Sequence, residues 1–134
     1  MKLLRNLFRV LFVLWAGSLW ALAAFVTPTL FYAQPDRHLA GTLAARLFSI
    51  ETYLALALSL LVWVTPSRSK YWLGFLATAL LVVNEWLLKP VMEQARLHGH
   101  AFGLGFGPWH GVSALLYLSG CICVLILVWR DALR

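Results

Sequence analysis

Charged residues are scarce in this sequence of 134 residues, making up 12% of the chain against roughly 25% in an ordinary soluble domain. Cysteine is also rare, with only Cys121 and Cys123, and both lie inside an apolar run. Residues two apart on a helix point to different sides, so we expect neither a disulfide between them nor metal chelation by this pair. The scarcity of charge argues against a soluble domain.

Apolar residues make up 62% of the chain, and its mean hydropathy is +0.81. A membrane-spanning helix needs about 20 mostly apolar residues. Four segments meet that requirement, at about residues 10–32, 39–64, 71–88 and 109–129. We therefore predict an all-α membrane protein, a bundle of four transmembrane helices that forms a single domain over residues 1–134.

The first segment also has features of a secretory signal peptide. Lys2, Arg5 and Arg9 form a basic start, and Ala21–Ala23 provides a cleavage-like sequence. The apolar run nevertheless continues to Phe31, which is longer than a typical signal core. We expect this segment to be retained as the first transmembrane helix.

The net charge of +6 comes from basic residues at the ends of the apolar segments, where they meet lipid headgroups. They form no basic stripe on a polar face, so nucleic-acid binding is not expected. One side of the membrane would hold seven of them: Lys2, Arg5, Arg9, Arg68, Lys70, Arg130 and Arg134. The other would hold four: Arg37, Arg46, Lys89 and Arg96. This asymmetry predicts that both termini are cytoplasmic.

A glycine-rich stretch follows the third segment. Its glycines are Gly99, Gly103, Gly105 and Gly107. We expect a flexible outer loop there, between the third and fourth helices. The residues just before it, Val91–Leu97, either extend the third helix or form a short interfacial one. A shorter turn, marked by Pro66 and Ser67, joins the second and third helices.

Polar side chains inside the apolar runs are the informative ones, because a charge near the bilayer centre costs about 2.5–3.5 kcal/mol on insertion scales. They are Arg46, Glu51, Asn84, Glu85 and His110. The alternating helix directions place them all in the outer half of the membrane, with Asn84 and Glu85 in the last turns of the third helix. We predict a site for a small polar ligand, an ion or a partner there.

The sequence does not decide which of these polar side chains pair with one another. Arg46 and Glu51 are five residues apart and diverge by about 140° around the helix axis, so each needs a partner on another helix. Glu85 is the candidate for Arg46. The candidates for Glu51 are Asn84, His110 and Tyr53. The alternative is structural, since buried ion pairs and hydrogen bonds also fix helix register.

The histidines suggest an alternative function, because imidazole is a good ligand for transition metals such as zinc, copper and nickel. They are His38, His98, His100 and His110. A haem- or copper-binding redox protein would use His110, with His38 or the outer loop supplying a second ligand. No carboxylate or thiolate spacing completes such a site, and His98 and His100 also fit solvated loop positions. Ser113 follows His110 on the same helix face, but no third group is present to orient a hydrolase.

Four stretches together carry a family resemblance: Phe25–Phe31, Ala40–Glu51, Asn84–Trp86 with Lys89–Met92 and Arg96, and Trp109–Ser113. They resemble the bacterial four-helix membrane family called domain of unknown function 4149, related to eukaryotic transmembrane protein 205. Ala45 departs from the family pattern, where a second glycine is expected. The resemblance implies a multi-pass protein of the bacterial inner (cytoplasmic) membrane with no assigned activity. Apart from the resemblance, the sequence leaves a homo-oligomer and a membrane-protein partner open. A more distant likeness to copper resistance protein D implies bundle histidines that hold copper or haem.

Overall fold

The computed structural model describes residues 2–66 and 68–133 and is built from four long helices. These are α1 (Lys2–Ala33), α2 (Arg37–Trp63), α3 (Arg68–His98) and α4 (Phe106–Ala132). Each is long and apolar enough to cross a membrane, and the described part of the chain has no β-strand. The prediction of an all-α chain with four apolar spans is confirmed. Ser67 and Arg134, assigned above to a turn and to the basic side, lie outside the described residues.

Two of the helices contain a π-helical turn just before a proline. In α1 the turn Leu22–Val26 precedes Pro28, and in α3 the turn Asn84–Leu88 precedes Pro90. Proline has no N–H and its ring clashes with the carbonyl four residues earlier. A π turn inserts one extra residue and changes the hydrogen-bond register there, which accommodates the proline. Both helices therefore continue past their prolines.

The continuation of α3 changes where its polar residues lie. The helix runs through Val91–Leu97 to His98, so this segment extends the third helix. Asn84 and Glu85 consequently lie close to the middle of α3, and the prediction that they occupy its last turns is wrong. The sequence suggested an earlier end because Lys89 and Pro90 interrupt the apolar run.

The helix ends follow from local hydrogen-bonding chemistry. Asp36 caps α2, because its carboxylate accepts hydrogen bonds from the backbone N–H groups of His38 (2.9 Å) and Leu39 (3.1 Å). Gly99 ends α3 with a φ of +82°, a left-handed conformation that glycine adopts without strain. The chain then crosses to α4 through residues 99–105.

Each helix packs on the next along the chain, and α4 packs back on α1. The core between them includes an aromatic group in which Phe12 stacks on Tyr71 with ring centroids 5.2 Å apart. α3 and α4 come close at Gly120, where an added Cβ would lie 3.7 Å from the carbonyl oxygen of Ala77. Many large apolar side chains are exposed around the outside, as expected for helices that face lipid.

An ion pair fixes the relation between the two ends of the chain. Arg9 Nε donates to Asp131 Oδ2 at 2.6 Å, and the same guanidinium donates to the Asp131 carbonyl at 2.8 Å. A cavity of about 90 Å³ beside this pair is also lined by Tyr71, at the start of α3. The start of α1, the start of α3 and the end of α4 therefore lie at one end of the protein.

Candidate functional site

The first polar group lies between α2 and α3 and consists of Ser49, Glu85 and Lys89, called here the α2–α3 cluster. Lys89 Nζ donates to Glu85 Oε1 and to Ser49 Oγ, both at 2.7 Å. Ser49 Oγ donates to the same Glu85 oxygen, also at 2.7 Å. The Glu85 side chain is 13% exposed and that of Lys89 is 41% exposed. The cluster is thus half-buried, with its ammonium group reaching the surface.

The second polar group joins α3 to α4. Asn84 Nδ2 donates to the carbonyl oxygen of Ser113 at 3.1 Å, and Ser113 Oγ donates to Asn84 Oδ1 at 2.6 Å. Asn84 and Glu85 are adjacent in the π turn Asn84–Leu88. This turn therefore directs one side chain toward α4 and the next toward α2.

The third polar group lies between α1 and α2, around Glu51, which is 6% exposed. Glu51 Oε2 is 3.2 Å from Ser18 Oγ, and the same hydroxyl is 2.9 Å from the carbonyl oxygen of Trp15. The indole N–H of Trp15 is buried and has no hydrogen-bond partner among the described residues. None of the partners expected for Glu51 from the sequence is the observed one.

Arg46 and His110 do not join these groups. Arg46 is exposed on α2, and Glu85 pairs with Lys89, so the predicted pairing of Arg46 with Glu85 is wrong. His110 is exposed in α4 and its ring stacks on Phe106 with centroids 5.6 Å apart. Of the five polar residues singled out in the sequence, Glu51, Asn84 and Glu85 therefore make contacts between helices.

The four histidines lie in different parts of the structure: in α2, in α3, in the connection after α3 and in α4. His38 lies in the first turn of α2, and His98 Nδ1 is 3.3 Å from the carbonyl oxygen of Gln94, within α3. His100 lies in the connection to α4. Across residues 2–66 and 68–133 no three His, Cys, Asp or Glu side chains are grouped so that they could hold a metal ion. The geometry gives no support to a copper site built on His38, His98, His100 and His110.

Four residues complete these groups without having been predicted as members of a polar site: Ser18, Ser49, Lys89 and Ser113. One of them had a usable signal, because Lys89 follows Glu85 by four residues and such pairs face each other on a helix. The serines gave none, since serine is common in membrane helices and often bonds only to its own helix. Ser119 does so here, donating to the Leu115 carbonyl at 2.8 Å.

Comparison with known protein families gives a match over most of the chain. The family model described as Domain of unknown function (DUF4149) matches residues 10–101. The match includes all three members of the α2–α3 cluster as well as Ser18 and Glu51, and it stops before α4. Searches of curated proteins and of solved structures give no significant match.

Proposed function

The chain belongs to the DUF4149 family, and we propose that it is a multi-pass protein of the bacterial inner membrane that binds a small polar solute. The binding site would be the α2–α3 cluster, and no enzymatic step is involved. Four helices long and apolar enough to cross a membrane are consistent with such a protein. The observation that carries the proposal is the half-buried ion pair of Glu85 and Lys89 in the middle of an apolar helix.

The proposed orientation places both termini in the cytoplasm, within a single four-helix bundle. Its support is the excess of lysine and arginine at the end where α1 begins and α4 ends. In this orientation residues 99–105 form the outer, glycine-rich loop. Lys89 would then lie on the outer side of Glu85, and the solute would enter from the outside.

The α2–α3 cluster has hydrogen-bonding capacity left for a ligand. An ammonium group has three donors, and the Lys89 ammonium uses two of them on Glu85 and Ser49. Glu85 accepts both of its bonds on Oε1, so within the described residues Oε2 has no donor. A free donor beside a free carboxylate oxygen suits a solute that carries both a carboxylate and an ammonium group.

A panel of four solutes tests this proposal. Glycine carries both charges, acetate and methylammonium carry one each, and glycerol carries none. A ligand that binds only the folded state raises the unfolding temperature. We expect glycine to raise the unfolding temperature of the wild type in mild detergent more than the other three solutes do. Glycine should leave the unfolding temperature of Lys89→Met unchanged.

The exposed pair of Glu93 and Arg96 on the same helix provides the control. Arg96→Met should retain the response to glycine. If no solute shifts the wild type, or if Lys89→Met responds as the wild type does, the α2–α3 cluster is a structural contact and the proposal fails.

A further inference from the structure

Glu51 differs from every other side-chain acid in the protein. The sequence has five acidic residues. Asp131 pairs with Arg9, Glu85 with Lys89 and Glu93 with Arg96. Asp36 is exposed and caps α2. Among the described residues Glu51 has no cationic partner, although it is the most deeply buried of the five.

The position of Glu51 makes a negative charge there costly. α2 has 27 residues and is about 40 Å long, and Glu51 lies one residue past its middle. That is the depth at which a membrane offers the least solvation to an ion. A buried carboxylate without a cation generally becomes neutral by binding a proton. Burial and depth therefore both favour the acid form.

The hydrogen bonds around Ser18 point to the same form. Its hydroxyl has one hydrogen but lies within bonding distance of two oxygens, the Trp15 carbonyl at 2.9 Å and Glu51 Oε2 at 3.2 Å. If Glu51 is ionised, the single Ser18 hydrogen is shared between the two oxygens, as the Ser49 hydrogen is between Ala45 and Glu85. If Glu51 carries a proton on Oε2, it donates to Ser18 Oγ while Ser18 donates to Trp15. The protonated form therefore supplies a separate hydrogen for each contact.

The remaining groups near Glu51 do not supply a counter-charge. From α4, Tyr117 reaches Leu19, the residue next to Ser18, and Cys121 is buried one turn further along. The Tyr117 hydroxyl donates to the Leu19 carbonyl at 2.8 Å, so its one hydrogen is already used. From α3, no side chain in the described residues makes a hydrogen bond or an ion pair with Glu51. The Trp15 indole is buried and neutral, so it supplies no charge either.

We propose that Glu51 is a proton-binding site at the middle of the membrane, with its ligand, H⁺, held as a neutral carboxylic acid that donates to Ser18. This inference does not rest on the solute site, because Glu51 faces α1 whereas the α2–α3 cluster faces α3. It assigns to the protein a protonated carboxyl group inside the membrane.

Infrared spectroscopy of the protein in bilayers of ether-linked lipids tests the proposal, because a protonated carboxyl has a C=O stretch well separated from carboxylate bands and these lipids have no ester carbonyl to overlap with it. We expect this band in the wild type at neutral pH and its loss in Glu51→Gln. Glu93→Gln, which removes an exposed ion-paired acid, should retain the band. A wild type without the band would overturn the proposal, and so would a band that persists in Glu51→Gln.

Ser18→Ala provides a second variant in case Glu51→Gln does not fold. Removing the acceptor of the Glu51 proton should move the C=O band to higher frequency without abolishing it. Ser119→Ala, which changes a serine bonded only within its own helix, should leave the band in place. An unchanged band in Ser18→Ala would contradict the assignment. Glycine binding at Lys89 can fail while the band remains, so the two proposals fail separately.

Discussion

Ser49 and Glu51 lie two residues apart on α2, and each makes a side-chain hydrogen bond to a different helix. Ser49 bonds to Glu85 on α3, and Glu51 bonds to Ser18 on α1. Residues two apart on a helix differ in direction by about 200°, so one turn of α2 reaches both neighbours. Two adjacent but separate polar sites result: the α2–α3 cluster, which is half-exposed, and the Glu51 site, which is buried.

The ion pair in the α2–α3 cluster should contribute more to stability than the exposed pair on the same helix. Glu85→Gln is expected to lower the free energy of unfolding by about 1.5–3 kcal/mol, because it weakens charge-assisted hydrogen bonds at a largely buried side chain. Glu93→Gln should cost less than about 1 kcal/mol, since both partners of that pair are exposed. Unfolding in mixed detergent micelles measures both. Equal losses would show that the burial of Glu85 has no energetic consequence.

The reciprocal hydrogen bonds of Asn84 and Ser113 should behave as a coupled pair. A double-mutant cycle with Asn84→Ala and Ser113→Ala is expected to give a coupling free energy of about 0.6 kcal/mol, and at most about 1.7 kcal/mol, as for other hydrogen bonds between membrane helices. Asn84→Ala combined with Ser119→Ala is the control and should be additive. A coupling of zero for the first pair would argue against the contact between α3 and α4.

The packing of α3 against α1 predicts opposite results for two glycines. A Cβ at Gly74 would lie 3.0 Å from the Phe12 ring, so Gly74→Ala should destabilise the protein by about 1–3 kcal/mol through overpacking. Gly17 has open space around its added Cβ, so Gly17→Ala should be neutral or stabilise α1 by about 0.5–1 kcal/mol. The same unfolding assay compares them. A ranking in the opposite order would contradict the packing of Phe12 on Gly74.

The proposed topology predicts the behaviour of reporter fusions. A fluorescent protein fused after the last residue should fluoresce, because it folds in the cytoplasm. Alkaline phosphatase, which needs the oxidising periplasm, should be active when inserted at Gly103 and inactive at the C-terminus. The reverse pattern would place both termini outside and would put the entrance to the α2–α3 cluster on the cytoplasmic side.

The four spans were predictable from the sequence because a long apolar run has few stable arrangements other than a membrane-spanning helix. The end of α3 was not predictable in the same way, since Lys89 and Pro90 are typical of a helix boundary. The π turn Asn84–Leu88 instead accommodates the proline within the helix. A change of one residue in local register is invisible in hydropathy, and Asn84 and Glu85 lie within the turn that makes this change.

Of the residues in the candidate site, only the acidic ones could be identified from the sequence. Glu51 and Glu85 were noticeable because charge is costly in an apolar helix. Their serine partners were not, because the rotation of each helix about its axis is set by packing that involves all four helices. The same rotation leaves Arg46 and His110 exposed, although their depth along the sequence suggested a shared site.

Calorimetric titration of glycine is the most direct test of the solute site. The comparison uses the wild type, Lys89→Met and Arg96→Met, each in lipid nanodiscs at the same low salt concentration. The account predicts saturable heat for the wild type and for Arg96→Met, with one glycine bound per chain, and no saturable heat for Lys89→Met. Saturable binding that survives in Lys89→Met, or its absence from the wild type, would contradict the assignment of Ser49, Glu85 and Lys89 as the site.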